Sequence, residues 1–240
     1  MEKKKITTVL FDLDGTLIGM DQDEFIRLYF LSILDKLAAI GYDKGLMYSS
    51  IEGAIQAIKK KQDSGVTNEE CFWQMFDKIS GGLAPALKGI MDSYYKEEFI
   101  KVLEGSCYPY PRANEIVNAA KNRGLRVVLA TNPLFPAVAT YTRIRLGGMQ
   151  PEDFEYVTAY ENSSFCKPSP AYFTELLSKL SVTPEECVMI GNDTRDDFAA
   201  LELGIPVFIL TECLINTRGV DLSLYPHGDF DDLIAYINSL

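Results

Sequence analysis

Cysteine is sparse and poorly arranged for bridging. Cys71, Cys107, Cys166, Cys187 and Cys213 are an odd number with no CxxC pair, which argues against a disulfide framework or a structural zinc site and makes a reducing cytoplasm the expected compartment. Extended positive charge is missing too. Against a net charge of −11, the longest basic run is Lys3 to Lys5, so attraction to nucleic acid or to an anionic membrane surface is not expected, and small or cationic partners fit better. No segment approaches the roughly 20 apolar residues of a membrane helix. The apolar stretch after the basic start is too short for a signal peptide, because it meets Asp12 at once. The lone histidine, His227 in YPHG, lacks a partner to make it a base and is expected at a surface turn. What remains is the balance of a globular protein, 47% apolar and 24% charged over 240 residues.

Residues 6–11, ITTVLF, are β-branched and aromatic and predict a short buried strand. From Asp21 to about Glu104 the texture is helical instead. DEFIRLYFLSILDKLAAIG stops at Gly41, SSIEGAIQAIKKKQDSG runs from serine to Gly65, TNEECFWQMFDKIS opens with Thr67 and Glu70 in capping-box spacing, and PALKGIMDSYYKEEFIKVLEG supplies a fourth stretch. Phe72, Trp73 and Phe76 fall at helical spacing and are expected in the core of this block. After CYPYPR, where Pro109 and Pro111 stiffen the chain, helical patterns alternate with the apolar strands LRVVLAT, FEYVTAY, ECVMIGND and IPVFIL, and DFDDLIAYINSL closes as a helix. The fold expected is α/β: a Rossmann-like, doubly wound parallel sheet formed by residues 1–18 and 108–240, with an α-helical cap inserted over residues 19–107.

Ligands of such sheets lie beyond the carboxyl ends of the strands. VLF ends in Asp12, VVLA in Thr131 and Asn132, VMIG in Asn192 and Asp193, and Lys167 lies in the loop after VTAY. Crowded carboxylates raise one another's proton affinity unless a cation neutralises them. The all-oxygen set Asp12, Asp14 and Asp193 suits magnesium, which keeps waters and substrate phosphate in its shell. Lys167 and Thr131 beside such an ion suggest a phosphoryl group. Asp12 could then act as nucleophile and Asp14 as proton donor and acceptor, while Gly15 frees the backbone for the tight turn that such crowding requires.

DLDGT at 12–16, Thr131 in LATNP, Lys167 in CKPSP and GNDTRDD at 191–197 resemble the haloacid dehalogenase superfamily of phosphohydrolases, and the helical block sits where that family carries its first type of cap. The resemblance implies a magnesium-dependent phosphatase that cleaves a small phosphate monoester through an aspartyl-phosphate. It implies Asp12 as nucleophile and metal ligand, Asp14 as general acid and base with its backbone carbonyl on the metal, and Thr131 with the amide of Asn132 as the phosphate-binding pair. Lys167 would steady nucleophile and phosphate, Asp193 would be the third protein ligand, and Asp197 would support the metal or Lys167 from behind. Many members place the metal-binding aspartate directly after the glycine, where this chain has Asn192, so the division of roles among Asp193, Asp196 and Asp197 stays open. The dehalogenase members lack an aspartate at the position of Asp14, and its presence favours phosphate chemistry.

Rival readings lack parts. A calcium loop starting at Asp12 would need glycine where Leu17 stands. A cysteine-dependent phosphatase loop at Cys107 would need five residues before its arginine, and CYPYPR has four. Within the superfamily, a phosphosugar mutase or a phosphonate hydrolase with a cap lysine are alternatives, Lys59, Lys60 and Lys61 being the densest cap lysines. A receiver-like regulator that keeps its phospho-aspartate is a further one. Asp21, Asp23 and Arg27, beside the catalytic loop, are candidate selectivity residues, and Ile18–Met20 and Leu103–Pro111 are candidate hinges.

Overall fold

The computed structural model describes residues 5–240, so the basic start at Lys3 and Lys4 lies outside the described residues. In chain order the elements are β1 Thr8–Phe11, β2 Ile18–Met20, α1 Gln22–Ala39, α2 Lys44–Lys60, α3 Asn68–Ser80, α4 Ala84–Glu97, α5 Phe99–Ser106, β3 Cys107–Pro109 and α6 Ala113–Asn122. They continue with β4 Arg126–Leu129, α7 Ala137–Leu146, β5 Tyr156–Val157, α8 Pro170–Leu180, β6 Cys187–Gly191, β7 Val207–Leu210, β8 His227–Gly228 and α9 Phe230–Ser239.

Six strands form one parallel sheet in the order β5-β4-β1-β6-β7-β8. The chain winds outward from β1 through β4 to β5, then returns to the other side of β1 as β6, which is the Rossmann-like, doubly wound arrangement. Alternation along the strands sorts the core into two layers. Val9, Phe11, Val127, Leu129, Val188 and Ile190 pack with Ile116 and Ala120 of α6 and Leu233 and Ile237 of α9. Leu10, Val128, Ala130, Met189 and Ile209 face the opposite way, onto Phe173, Leu176 and Leu180 of α8.

Helices α1 to α5 are inserted between β2 and β3, which pair antiparallel as Ile18 with Pro109 and Met20 with Cys107. The first candidate hinge thus pairs with Cys107–Pro109 of the second in one short ribbon, while Leu103–Ser106 of the second end α5. The cap packs as expected around Phe72 and Phe76, with Trp73 half-buried beside them. Its apolar interior is continuous with that of the sheet: Phe25 and Tyr29 of α1, Tyr95 of α4 and Phe99 of α5 surround Phe135, which belongs to the loop after β4. Helix α3 also docks on the core by its start. The Thr67–Glu70 capping box is present, and the next two amides reach across, Asn68 to the Ser163 carbonyl at 2.8 Å and Glu69 to that of Tyr160 at 2.9 Å.

Several elements differ from the sequence reading. Helix α2 begins at Lys44, because Asp43 caps it through the Leu46 amide, and ends at Lys60, short of Gly65. The fourth helical stretch is two helices, broken at Glu98, whose φ of −117° departs from the regular helical value near −63°. The strand expected over FEYVTAY is confined to Tyr156–Val157. Residues Phe198–Leu203 form a 3₁₀ helix, and Asp197, which precedes it, gives its carboxylate to Lys167 and the Asp193 amide instead of to a cap. His227 is exposed, yet it pairs in an edge strand, β8, rather than standing in a free turn. Among the described residues no helix is long and apolar enough to cross a membrane.

Candidate active site

Strand register brings the sequence motifs to one edge. Phe11 lies opposite Leu129 of β4 and Ile190 of β6, so Asp12, Ala130 and Gly191 leave the sheet side by side. The Asp12 amide donates to the Ile190 carbonyl at 2.8 Å and the Ala130 amide to that of Phe11 at 2.7 Å. The reversal of winding falls between β1 and β6, which opens the crevice where the carboxylates are.

Lys167 is the centre of this edge. Its ammonium is buried and donates to Asp12 Oδ1 at 3.0 Å and to Asp197 Oδ1 at 2.7 Å. Burial pushes Asp12 up to about 7, Lys167 restrains the rise, and the carboxylates of Asp197 and Asp14 add to it. Burial alone would lower Lys167, but Asp12 and Asp197 carry it above the ordinary lysine value. Asp197 Oδ2 accepts from the Asp193 amide at 3.0 Å, which ties the loop after β6 to the same lysine. The close fit explains Gly191, where a Cβ would come within 2.0 Å of Asp197 Oδ2.

Thr131 lies at the end of β4, its carbonyl taking bonds from Thr158 Oγ1 at 2.7 Å and the Tyr172 hydroxyl at 3.0 Å. Asn132 donates to the Lys167 carbonyl at 3.3 Å and to Asp196 Oδ2 at 3.0 Å, and its own Oδ1 is buried without a partner among the described residues. Asp193 Oδ1 accepts from the amides of Arg195 at 2.7 Å and Asp196 at 3.3 Å. Burial and the neighbouring Asp193 raise the Asp196 carboxyl. Asn192, in the position of the missing aspartate, serves the loop after β1: it accepts from Thr16 Oγ1 at 3.2 Å and donates to the Cys213 carbonyl at 2.6 Å. It also closes over Gly15, whose φ of +85° favours glycine and where a Cβ would meet Asn192 Nδ2 at 2.2 Å.

Asp14 shows a partner that the motifs did not announce. Its Oδ2 accepts from Nη1 of Arg143, on α7, while its Oδ1 is buried with no partner among the described residues. Burial raises the Asp14 carboxyl and Arg143 works against the rise. A signal was present in sequence, since Arg143 falls on the stripe Ala139, Thr140, Arg143 and Ile144 that α7 buries, where a charge needs a partner.

No group of three His, Cys, Asp or Glu side chains forms a ready metal cage among the described residues. The edge nevertheless offers hard donors: among the described residues Asp12 Oδ2 accepts only from the Thr16 hydroxyl, at 3.5 Å, and the two amides that Asp193 caps both use its Oδ1. An ion held by two carboxylates and the Asp14 carbonyl would fit such a set, since magnesium takes oxygen donors. Other sequence candidates lie elsewhere. Asp21 caps α1 through the Glu24 amide, Arg27 pairs with Glu24 on the exposed face, and Asp23 is exposed. Lys59 and Lys60 are exposed, and Lys61 donates to the Val66 carbonyl. Burial pushes the Cys107 thiol up to about 11, which suits a packing residue and not a nucleophile.

Residues 6–204 match the family model of haloacid dehalogenase-like hydrolases. The phosphoglycolate phosphatase of Salmonella typhi is 25% identical over 224 residues, which cover 87% of this chain and 82% of that protein. The pyrophosphatase PpaX of Bacillus pumilus is 25% identical over 196 residues, 82% of this chain and 79% of that one. Among solved structures, CbbY from Rhodobacter sphaeroides in complex with phosphate aligns with a TM-score of 0.56 at 19% identity, over 95% of this chain and 99% of that one, a likeness of fold.

Proposed function

This chain belongs to the haloacid dehalogenase-like hydrolases and is an enzyme of their phosphatase kind, and on that premise we propose that it hydrolyses a small phosphate monoester through a phosphorylated Asp12. The observation that carries the reading is the buried Lys167 ammonium shared by Asp12 and Asp197 at the end of β1. It keeps a nucleophilic carboxylate ionisable in a place where burial would otherwise protonate it.

In the first half-reaction an Asp12 oxygen attacks phosphorus, the bond from phosphorus to the ester oxygen breaks, and a proton from Asp14 passes to the departing alkoxide to give the alcohol. In the second, water attacks the phosphoryl group, Asp14 takes the proton from that water, and the bond to Asp12 breaks to leave inorganic phosphate and the free carboxylate. Asp14 Oδ1, buried and unpartnered, is where such a proton belongs. Thr131 and the Asn132 amide would hold the phosphate oxygens from the end of β4, with Lys167 opposite. Asp12, Asp193 and the Asp14 carbonyl would hold magnesium, which when bound offsets negative charge on the phosphoryl group. Asp197 fixes Lys167 and the Asp193 loop from behind. A cytoplasmic location belongs to the same proposal and agrees with five free cysteines.

The test is turnover of a panel of phosphate monoesters with magnesium, using Asp12→Asn as the blank. Wild type releases inorganic phosphate and the variant releases none. Undiminished release by the variant overturns the assignment of Asp12.

A further inference from the structure

Arg143 is a buried cation to which the reaction scheme above gives no task. Only 2% of it is exposed, an unusual burial for arginine, and its guanidinium has three attachments. Nη1 donates to Asp14 Oδ2, Nη2 donates to Thr140 Oγ1 at 3.1 Å, and the guanidinium carbon lies 5.2 Å from the centroid of the Phe135 ring. Phe135 is itself gripped by the cap, with Tyr29 at 5.4 Å, Phe25 at 5.7 Å and Phe99 at 6.0 Å between ring centroids. The arginine therefore has little freedom of its own, and it takes one oxygen of Asp14 while leaving the other bare.

That division is what a proton donor on a loop needs. An aspartate with both oxygens free rotates between them, whereas one with Oδ2 anchored presents Oδ1 in a single direction, and a misplacement of about 1 Å costs about 10²-fold in rate. We infer that Arg143 is a positioning residue: by holding Oδ2 it aims Asp14 Oδ1 at the leaving oxygen of the substrate. The inference rests on the reading of Asp14 as proton donor. In the step concerned, the bond from phosphorus to the ester oxygen breaks, the phosphoryl group goes to Asp12, and the proton on Oδ1 goes to the departing oxygen.

The consequence is a dependence on the leaving group that mere damage to the fold does not produce. An alkyl phosphate such as glycerol phosphate needs the proton, whereas p-nitrophenyl phosphate expels a stable phenolate without it. Because kcat/KM covers events up to departure of the alcohol, it isolates this step. Arg143→Met is expected to lower kcat/KM for the alkyl ester by about 10²-fold, and for p-nitrophenyl phosphate by less than about threefold. Thr140→Val, which removes one hydrogen bond from the guanidinium and leaves Asp14 untouched, is expected to skew the two esters the same way by a smaller factor, and it serves if Arg143→Met does not fold. Equal losses on both esters, or no loss on either, overturn the inference. Where wild type hydrolyses neither ester, an alkyl and an aryl phosphate that it does hydrolyse are taken from the panel, and activity on none of the panel fails the phosphatase reading itself. If wild type is active, Asp12→Asn is inactive and the Arg143 and Thr140 variants show no skew, only the role of Arg143 fails.

Discussion

Replacing Lys167 by methionine keeps most of the side-chain length and removes the charge at the centre of the site. The ammonium is 3.0 Å from Asp12 Oδ1 and 2.7 Å from Asp197 Oδ1. At an effective dielectric constant near 20, each contact corresponds to roughly 5 kcal/mol of attraction, most of which offsets the loss of water by three buried charges. Breaking such a buried pair by removing one partner costs about 3–5 kcal/mol. In a chain of this size 1 kcal/mol moves the melting temperature by about 2–4 °C, so Lys167→Met should melt about 6–20 °C below wild type in EDTA at neutral pH.

The gap should also depend on pH, in a definite direction. Asp12 is raised to about 7, so from about pH 4 to about pH 7 the folded chain holds a proton that the unfolded chain releases, and stability falls as pH rises through that window. Lys167 is raised as well, so its contribution is complete below the unfolded lysine value near 10.5 and is lost as pH rises from there through its folded value. In the methionine variant the lysine no longer restrains the rise of Asp12, and its stability keeps falling after that of wild type has levelled off. Calorimetric melts at about pH 5 and about pH 8.5 should therefore show the larger difference at the higher pH. Equal melting temperatures, or a difference that ignores pH, would refute the ionic account and leave Lys167 as a packing residue.

Two further substitutions probe parts that hold the site without touching substrate. Gly191→Ala places a Cβ within 2.0 Å of Asp197 Oδ2, so Asp197 must leave Lys167 or the Asp193 amide; a shift of about 1 Å there should lower kcat by about 10²-fold in a phosphate-release assay. Thr67→Ala removes the hydroxyl that accepts from the Glu70 amide at 3.2 Å at the start of α3, and should cost about 1 kcal/mol, seen as about 2–4 °C in a thermal melt.

The core of the fold could be read from sequence because buried parallel strands leave short apolar runs whose ends fall on polar residues, as VLF–Asp12 and VMIG–Asn192 do. The nearness of Asp12 to the loop after β6 follows from that register once the strand order is known, whereas Lys167 reaches Asp12 and Asp197 from a loop ten residues beyond β5. Other features had no local signal. The break at Glu98 occurs in EEFIK, with neither glycine nor proline, and sets Phe99 into the ring cluster by tertiary packing. Strand β8 is two residues of backbone pairing without an apolar pattern. For Arg143 the local signal stops at its place on the buried stripe of α7: Asp14 lies 129 residues away, and only the folded chain shows that it is the partner.

Charge at the crevice bears on the order in which ligands bind. Asp12, Asp14, Asp193, Asp196 and Asp197 converge on an edge where Lys167 and Arg143 are the buried cations, and both cations are already paired. A phosphate dianion entering this edge alone meets more negative than positive charge. One excess charge at about 4 Å opposes each unit of its charge by roughly 4 kcal/mol at an effective dielectric constant of 20, equivalent to about 10³-fold in affinity. A divalent ion held by Asp12 and Asp193 would reverse that sign, and metal should therefore precede phosphate. Titration of inorganic phosphate by calorimetry should give binding in excess magnesium, and at least about 10²-fold weaker binding in EDTA. Asp193→Asn should raise the magnesium concentration needed to restore phosphate binding, whereas equal phosphate affinity with and without the metal would mean that Lys167 and the Thr131 loop suffice to hold the anion.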